Sequence, residues 1–335
     1  MNIAVDVFGG DHAPQAILDG CMLALEQNED MHLILVGEAL VIEQYLKEHP
    51  HDAGRIRIKH APEIISSHEQ PTAAIKHKKD SSLVQAIMSV VDGDASCMIS
   101  AGSTGAVLAG ATLLIRRLKG VKRPALAPIM PTRDGCILLV DCGANIDCKP
   151  QYLQQFAVMG SAYMQHVMGL EHPRIGLLNN GAEAEKGNEL TKAAYGLLLN
   201  TPVNFVGNCE GRDVLSGDYD VVVCDGFSGN IVLKNTEGVA GLLVDMLKDE
   251  LKRDRRSKVG ALLAKPAFRR FKSRMDYTEY GGAPLLGVNG GVIKAHGSSN
   301  AKAFAAALNQ ARAYVLGNVT QAIGDAISAM EPVED

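Results

Sequence analysis

The sequence predicts an α/β protein built on a parallel, doubly wound sheet. Along its first part, apolar strand-like runs at residues 2–8, 32–37 and 55–60 alternate with helical patterns at residues 14–25 and 39–49. This β-α-β-α-β order is typical of parallel sheets with helices on both faces. At 335 residues the chain is long enough for a large core, in one unit over its whole length or in two lobes.

The same alternation continues toward the end of the chain. Further strands are predicted at 96–100, 136–141, 174–179, 202–206, 221–224 and 288–295. Further helices are predicted at 81–91, 101–114, 150–168, 188–199, 231–251 and from residue 301 onward. The run Val221–Cys224 is apolar throughout, so we expect that strand to be buried on both faces.

The composition is that of a globular enzyme with an aliphatic core. Hydrophobic residues make up 47% and charged residues 21%, whereas aromatic residues make up 4% and Trp is absent. So few aromatic side chains argue against base stacking, and no nucleic-acid partner is expected. The seven cysteines are scattered and odd in number, which indicates buried thiols in a reducing compartment rather than disulfides or a metal site.

The sequence gives no sign of export or of a membrane span. Met1 leads straight into the first strand, and no window approaches 18 apolar residues. We therefore expect a cytoplasmic location.

Six glycine-containing turns follow predicted strands and open predicted helices. They lie at residues 9–11, 102–105, 143–145, 180–188, 226–230 and 296–298. In a parallel sheet such turns share the carboxyl edge, where ligands bind. Unpaired backbone N–H groups at helix starts favour anions, so six such turns predict an anion-binding crevice. Close packing is the alternative explanation for Gly105 and Gly110.

Several common catalytic motifs are absent from the sequence. No Gly-x-x-x-x-Gly-Lys-[Ser/Thr] loop is present, and no Gly-x-Gly-x-x-Gly follows the first strand. The Gly-x-Ser-x-Gly and His-Glu-x-x-His motifs and paired cysteines are also missing. An enzyme with this sequence is expected to work by positioning and electrostatics.

Two segments differ from the regular alternation. Residues 61–81 are polar and loosely patterned, which fits either a binding loop or a solvated surface excursion. Residues 248–274 contain eleven basic and three acidic residues, a charge of +8 in a chain of net charge −5. Apolar residues recur in this segment at roughly helical spacing. It is predicted to be a basic amphipathic helical hairpin, suited to an anionic membrane, an acidic protein or a dimer interface.

Motifs along the whole chain resemble those of the PlsX family of bacterial phosphate acyltransferases. They are Asp6-x-x-Gly-Gly-Asp-x-Ala-Pro14, Ala101-Gly-Ser-Thr-Gly-Ala106, Lys186-Gly-Asn188, Cys224-Asp-Gly-Phe-Ser-Gly-Asn230, Gly281 to Gly287 and His296-Gly-Ser-Ser299. Because these matches occur in order over some 300 residues, the resemblance is far more specific than any single turn.

The resemblance implies a three-layer α/β/α fold similar to isopropylmalate dehydrogenases and phosphotransacetylases. It implies transfer of a fatty acyl group from acyl carrier protein to inorganic phosphate, giving an acyl phosphate for phospholipid synthesis. It also implies a homodimer without organic cofactor or required metal. The product is consumed at the membrane, so the membrane glycerol-3-phosphate acyltransferase is a further expected partner, and peripheral membrane association is expected.

The resemblance points to Lys186 and Asn230 as catalytic residues. Lys186 would neutralise phosphate, and Asn230 would donate to phosphate or to the tetrahedral oxyanion. The remaining candidates for the phosphate and oxyanion site are Gly10, Asp11, Ser103, Thr104, Gly105, Asn145, Gly226, Ser228, Gly229, His296 and Ser298. On structural grounds alone, Lys186 would be a solvated lysine at a helix start and Asn230 a helix N-cap.

The basic segment then has two expected uses, docking acyl carrier protein or an anionic membrane. The residues proposed for this docking are Arg255, Arg256, Leu262, Leu263, Phe268, Arg269 and Arg270.

Three other functions compete with this one. A phosphotransacetylase-like enzyme would use acyl-coenzyme A as the donor. A decarboxylating dehydrogenase would need a dinucleotide site and a cluster of metal-binding carboxylates, and neither is found in the sequence. A nucleic-acid-binding module is disfavoured by the low aromatic content and the negative net charge.

Overall fold

The computed structural model describes residues 1–275 and 281–330, in which two β-sheets are flanked by helices. The strands are β1 (Asn2–Asp6), β2 (His32–Gly37), β3 (Ile56–His60), β4 (Cys97–Ser100), β5 (Ala125–Leu126), β6 (Ile129–Pro131), β7 (Cys136–Val140), β8 (Ile175–Asn179), β9 (Phe205–Glu210), β10 (Val221–Val223), β11 (Ala283–Leu286) and β12 (Gly291–Lys294). The helices are α1 (Gln15–Gln27), α2 (Ala39–Glu48), α3 (Pro71–His77), α4 (Ser82–Val91), α5 (Thr104–Gly110), α6 (Pro150–Met168), α7 (Glu189–Leu198), α8 (Gly226–Lys252), α9 (Arg255–Met275), α10 (Ala301–Leu316) and α11 (Val319–Ser328).

Both sheets are mostly parallel. The first has the order β3-β2-β1-β4-β12-β11-β5, and only β11 runs antiparallel to its neighbours β12 and β5. The second has the order β6-β7-β10-β8-β9, in which β6 is antiparallel to β7 and the other pairs are parallel. The predicted α/β fold with a mostly parallel sheet is confirmed.

The strands at the centre of each sheet are apolar, and helices therefore cover them. Val221, Val222 and Val223 of β10 are fully buried, as the sequence predicted for this run. Helix α6 packs so closely on β10 that a Cβ at Gly160 would lie 2.7 Å from Cγ1 of Val221. The aliphatic core expected from the composition is therefore formed, with Val140, Leu153 and Ile175 among its fully buried side chains.

Three short elements differ from the sequence expectations, and the first has a clear physical reason. The loosely patterned stretch 61–81 contains the short helix α3, because Gln70 accepts the N–H of Ala73 and Pro71 occupies the first turn. Strand β11 forms in a glycine-rich stretch and makes a hairpin with β12. The strand predicted at 202–206 lies instead at Phe205–Glu210.

The largest difference is the start of α8, which begins at Gly226 rather than at residue 231. Asp225 is the N-cap, and its carboxylate accepts both the N–H and the hydroxyl of Ser228 at 2.8 Å. The glycines of this stretch therefore belong to the first turn of the helix, and Asn230 lies inside the helix rather than at its cap.

The basic segment forms the end of α8 and most of α9, which are joined by Arg253 and Asp254. Both helices leave apolar side chains at the surface, including Leu242 on α8 and Leu263 on α9. No helix in the described ranges is long and apolar enough to cross a bilayer.

The topology collects the six predicted turns into two groups. Strands β1, β4 and β12 are neighbours in the first sheet, and we call the loops after them the first edge. Strands β7, β10 and β8 are neighbours in the second sheet, and the loops after them form the second edge.

Candidate active site

At the first edge, the loops after β1 and β12 are bonded to each other. The N–H of Asp11 donates to the carbonyl of Gly297 at 2.8 Å. This contact needs Gly10, which has a φ of +108° and would place a Cβ 2.9 Å from the side chain of Ala101. Gly10 therefore shapes the loop by its backbone conformation.

His296 and Ser298 form a hydrogen-bonded pair in the loop after β12. The Ser298 N–H lies 3.3 Å from Nδ1 of His296, and the Ser298 hydroxyl lies 2.9 Å from the same nitrogen. A backbone N–H can only donate, so Nδ1 is the acceptor and the proton of the neutral ring is on Nε2. Burial lowers the pKa of His296, with the charges of Lys234 and Lys294 adding to this effect.

The loop after β4 contributes Ser103, Thr104 and Gly105. Ser103 is the N-cap of α5, and its hydroxyl accepts the N–H of Ala106 at 3.5 Å. Gly105 allows α5 to pack against Pro71, whose Cγ would lie 2.8 Å from a Cβ at that position. Close packing, the alternative considered for Gly105, accounts for this glycine.

At the second edge, Asp141 organises the loop after β7. Its buried carboxylate accepts N–H groups of Leu126, Ala144 and Asn145 at 2.8, 3.2 and 2.7 Å, and the Asn145 side-chain amide at 2.9 Å. Burial raises the pKa of this carboxyl to about 6, and the four N–H donors oppose that rise. The amide of Asn145 also donates to the carbonyl of Pro124, so this residue is held within the loop.

The start of α8 is joined to that loop by close backbone contacts. The N–H of Gly226 donates to the carbonyl of Asn145 at 2.7 Å, and the N–H of Gly229 donates to the carbonyl of Asp225 at 3.0 Å. A Cβ at Gly229 would lie 2.0 Å from the Asp141 carbonyl oxygen. With Ser228 capped by Asp225, these three N–H groups already have protein acceptors. They serve the packing of the helix start.

A cavity of about 550 Å³, the larger cavity, is lined by residues from both edges. Its polar lining includes Thr104, Lys294 and His296 from the first edge with Asn230, Lys234 and Glu237 from α8. Its apolar lining includes Leu126, Ile129, Met130, Leu215, Leu233 and Phe271. The cavity thus joins a cationic polar region to an aliphatic wall.

Lys294 is the buried cation of this cavity. The residue is 8% exposed, and its ammonium donates to the carbonyls of Ala101, at 3.4 Å, and Ala295. Burial lowers the pKa of Lys294 to about 8, although the negative charges of Asp6 and Asp11 act in the opposite direction.

Lys186 lies elsewhere, in the exposed loop between β8 and α7. The loop is held by two hydrogen bonds. The amide of Asn179 donates to the Lys186 carbonyl at 3.1 Å, and the Lys186 N–H donates to the backbone carbonyl of Glu183. Its neighbours Gly187 and Asn188 line a second cavity of about 470 Å³, the smaller cavity, together with Asp225 and Ser228 of the α8 start.

Comparisons with known proteins agree with the motifs. The family model described as a fatty acid synthesis protein matches residues 1–322. Phosphate acyltransferases of Clostridium botulinum (strain Loch Maree / Type A3) and Clostridium acetobutylicum are 51% identical over 312 residues and 52% over 311. Each alignment covers 93% of this chain, and 93% and 94% of the two relatives. The chain belongs to the phosphate acyltransferase family. The family resemblance is thereby confirmed.

Solved structures show which fold this family member has. The EutD phosphotransacetylase from Staphylococcus aureus matches with a TM-score of 0.59 and 16% identity, over 93% of this chain and 94% of that one. A phosphotransacetylase from Streptococcus pyogenes matches with a TM-score of 0.58 and 18% identity, over 98% of this chain and 94% of that one. At such identities the likeness concerns the fold alone, and the predicted phosphotransacetylase-like fold is confirmed.

The structure brings some predicted site residues together and separates others. Asn230, Thr104 and His296 line the larger cavity, whereas Lys186 lines neither cavity. The docking residues all lie on α9, and among them only Phe268 is half-buried; they are Arg255, Arg256, Leu262, Leu263, Phe268, Arg269 and Arg270. Roles at the site remain predictions for all of these residues.

Sequence reasoning assigned no role to two lysines that line the larger cavity. Lys234 lies one helical turn after Asn230, so the i to i+4 spacing on a predicted helix could have found it. Lys294 follows Val292 and Ile293 in a buried strand, and a charge within such an apolar run is the signal that could have found it.

Proposed function

We propose that this phosphate acyltransferase moves a fatty acyl group from the thioester of acyl carrier protein to inorganic phosphate. The observation that carries the proposal is the lining of the larger cavity, which places aliphatic side chains beside cations and an amide. A fatty acyl thioester and a phosphate dianion need those two environments next to each other. Membership of the phosphate acyltransferase family supports the same reaction class.

The chemistry requires little from the protein besides position and charge. A phosphate oxygen attacks the thioester carbonyl carbon, and the carbonyl oxygen takes up negative charge in the tetrahedral intermediate. The C–S bond then breaks, and the thiolate leaves and takes a proton from solvent. Cations that hold phosphate near the carbonyl reduce charge repulsion, and N–H donors stabilise the oxyanion.

Asn230 is the proposed donor to the oxyanion or to phosphate. It lies in the first part of α8, and the nearest approach of a Cβ built at Gly143 to its side chain is 3.9 Å. Gly143 has a φ of +107°, so the loop after β7 passes beside the amide without a side chain of its own. Lys186 is proposed to contribute positive charge from the loop after β8.

The test is to incubate the purified protein with acyl carrier protein thioester and phosphate, and to trap the product with hydroxylamine. Acyl phosphate reacts to give a hydroxamate that depends on both substrates. Parallel reactions replace the donor with the matching acyl-coenzyme A. Faster turnover with acyl-coenzyme A would favour the phosphotransacetylase-like alternative, and no hydroxamate from either donor would end the proposal.

We further propose that α9 docks the acidic carrier protein or an anionic membrane surface. Its apolar side chains Leu262 and Leu263 are 69% and 79% exposed, and Arg255, Arg256, Arg269 and Arg270 are exposed around them. Basic residues beside an exposed apolar row suit an anionic interface. Peripheral membrane association would bring the acyl phosphate to the membrane glycerol-3-phosphate acyltransferase.

Flotation with vesicles of anionic and of zwitterionic lipid tests this docking. Leu262→Glu should reduce recovery with anionic vesicles, and Leu40→Glu, an exposed leucine on α2, serves as the matched control. Equal flotation of wild type and Leu262→Glu would remove the membrane from the proposal. A homodimer, also implied by the family resemblance, is checked by light scattering of the eluted protein.

A further inference from the structure

Three polar side chains lie side by side at the carboxyl end of three neighbouring strands in the first sheet. In the strand register, Ser100 of β4 is opposite both Asp6 of β1 and Lys294 of β12. All three residues are buried, and the Ser100 hydroxyl donates to Oδ2 of Asp6 at 2.6 Å. A carboxyl group and an ammonium therefore flank one serine beneath the loops of the first edge. Burial raises the pKa of the Asp6 carboxyl, whereas the hydrogen bond from Ser100 and the positive charge of Lys294 act in the opposite direction.

Neither charge in this row has its bonding capacity filled. The Lys294 ammonium has two main-chain acceptors, Ala101 and Ala295, whereas it carries three N–H donors. No described carboxylate lies within 4.0 Å of it. Oδ1 of Asp6 is buried without a hydrogen-bond partner in the described part of the chain. Burying ionisable groups without an opposite charge in direct contact is unfavourable, and groups of this kind concentrate at functional sites.

The larger cavity lies against this row, because Lys294 is part of its lining together with Thr104 and Asn230. Lys234, on α8, is paired with Glu237 at 3.0 Å, so that lysine already has a counter-charge. The charged or titratable groups that act electrostatically on Lys294 or on its neighbour His296 are Asp6, Asp11, Lys234 and Glu237, and Arg133 also lines the cavity.

We propose that Lys294 binds the phosphate substrate at the buried end of the larger cavity, and that Asp6 acts as a positioning residue for its ammonium. The inference rests on the proposed function and names the group that holds the nucleophile. A dianion would supply both the missing counter-charge and the missing acceptor for the third N–H. Such a contact is stronger in a cavity than in water, because the surroundings screen it less.

A pH dependence follows from the charge of Lys294. Its pKa is lowered to about 8, so the ammonium loses its proton as the pH rises through that value. The Michaelis constant for phosphate should then rise above about pH 8, with little change in that of the acyl donor. Removing the negative charge of Asp6 should lower the pKa of Lys294 further and move this rise to lower pH.

The experiment uses Lys294→Met, which retains most of the length of the side chain and removes the charge. We expect its Michaelis constant for phosphate at pH 7.5 to rise about 30-fold, as for the loss of a charge-assisted hydrogen bond. Its Michaelis constant for acyl donor should change less than about twofold, and the rise above pH 8 should disappear. Inorganic phosphate should also raise the unfolding temperature of wild type but not that of Lys294→Met, a readout that needs no turnover.

The matched control is Lys59→Met in β3 of the same sheet. Nζ of Lys59 donates to the carbonyl of Gln85 and the hydroxyl of Ser89, both at 3.1 Å, and Lys59 is not part of the cavity lining. This variant should retain the wild-type response to phosphate. Asp6→Asn should show the shifted pH dependence together with a smaller increase in the Michaelis constant.

Unchanged phosphate response in folded Lys294→Met would overturn the inference, as would a loss of kcat with an unchanged Michaelis constant for phosphate. If Lys294→Met does not fold, the double variant Asp6→Asn/Lys294→Met removes both buried charges and undergoes the same measurements. A wild-type protein that forms no acyl phosphate contradicts the proposed function instead, and the unfolding readout still decides whether Lys294 binds phosphate.

Discussion

At the second edge polar groups bond mainly to one another, whereas at the first edge two buried ionisable groups, Asp6 and Lys294, have no opposite charge in direct contact within the described residues. Asp141 has four N–H donors, and Asp225 caps the helix that carries Asn230. By contrast, Oδ1 of Asp6 accepts no hydrogen bond within the described residues, and the Lys294 ammonium donates only to main-chain carbonyl oxygens. The two edges share the same strand-turn-helix pattern but differ in what they leave available for a ligand.

This difference distinguishes groups that stabilise the loops around the cavity from groups that are available to bind substrate. A satisfied network rigidifies its loop but has little capacity left for substrate. An unsatisfied buried charge is unfavourable in the empty site and gains most when a complementary ion binds. Glycines and caps of the second edge are therefore expected to matter for folding, and side chains outside those networks for turnover.

The strongest challenge to this comparison is Lys186, whose loop belongs to the second edge but whose side chain is exposed. Lys186→Ala should reduce kcat/KM about 1000-fold if its charge stabilises the transition state. Thermal unfolding should be unchanged, because Lys186 holds its loop through hydrogen bonds of its backbone carbonyl and N–H. Lys192→Ala, at an exposed lysine of α7, is the control. Near-wild-type acyl phosphate formation by Lys186→Ala would remove the residue from the mechanism.

The next largest effect is expected at Asn230, which lies inside α8 and lines the larger cavity. Asn230→Ala should lower kcat about 100-fold, as for the loss of one oxyanion donor, with a small change in the Michaelis constants. Asn235→Ala, an exposed asparagine further along α8, should retain full activity. Equal activities of the two variants would show that Asn230 does not donate in the transition state.

The same substitution at two glycines of α8 tests whether the glycines of the second edge are needed for close packing. Gly229→Ala should destabilise the protein by about 2 kcal/mol or more, because the new Cβ would meet the Asp141 carbonyl oxygen at 2.0 Å. At Gly238 a new Cβ would meet no neighbouring atom within 4 Å, so Gly238→Ala should stabilise the helix by about 0.5–1 kcal/mol. Urea unfolding measures both. Similar stabilities would contradict the close packing at the start of α8.

The smallest effect is expected at the opposite edge of the second sheet, where Asp220 pairs with Arg174 at 2.9 Å. Burial acts to raise the pKa of Asp220, but hydrogen bonds and charge from Arg174 outweigh it and hold the pKa below its usual value. The carboxylate therefore contributes stability above about pH 4, which is lost as the pH falls through its folded-state pKa.

Asp220→Asn should accordingly be less stable than wild type by about 1 kcal/mol at pH 7, a small value because Arg174 is partly exposed. The difference should vanish at the acid end of a pH series of urea unfolding curves. Asp134→Asn, at a carboxylate that is 83% exposed, should show no difference at any pH. If the loss of stability in Asp220→Asn persists unchanged in acid, the hydrogen-bond geometry of Asp220 rather than its charge stabilises the protein.

Much of the fold could be predicted because its local patterns are strong. Strand β2 and helix α6 have the predicted bounds, since a fully buried apolar run and a long helical face leave little ambiguity. Strand β11 and helix α3 were missed for opposite reasons. In β11 the residues are glycine-flanked and include Pro284, whereas α3 depends on a cap at Gln70 within a polar stretch.

The sequence by itself determined the alternation of strands and helices, the glycine turns at strand ends and the family. These depend on side-chain periodicity, turn chemistry and ordered motifs, all of which are local or can be read along the chain. Only the tertiary structure decided which turns are neighbours, where α8 begins, and that Lys294 faces the larger cavity while Lys186 does not. Strand order and burial depend on contacts between residues far apart in sequence, and those contacts decide which charges remain without a partner.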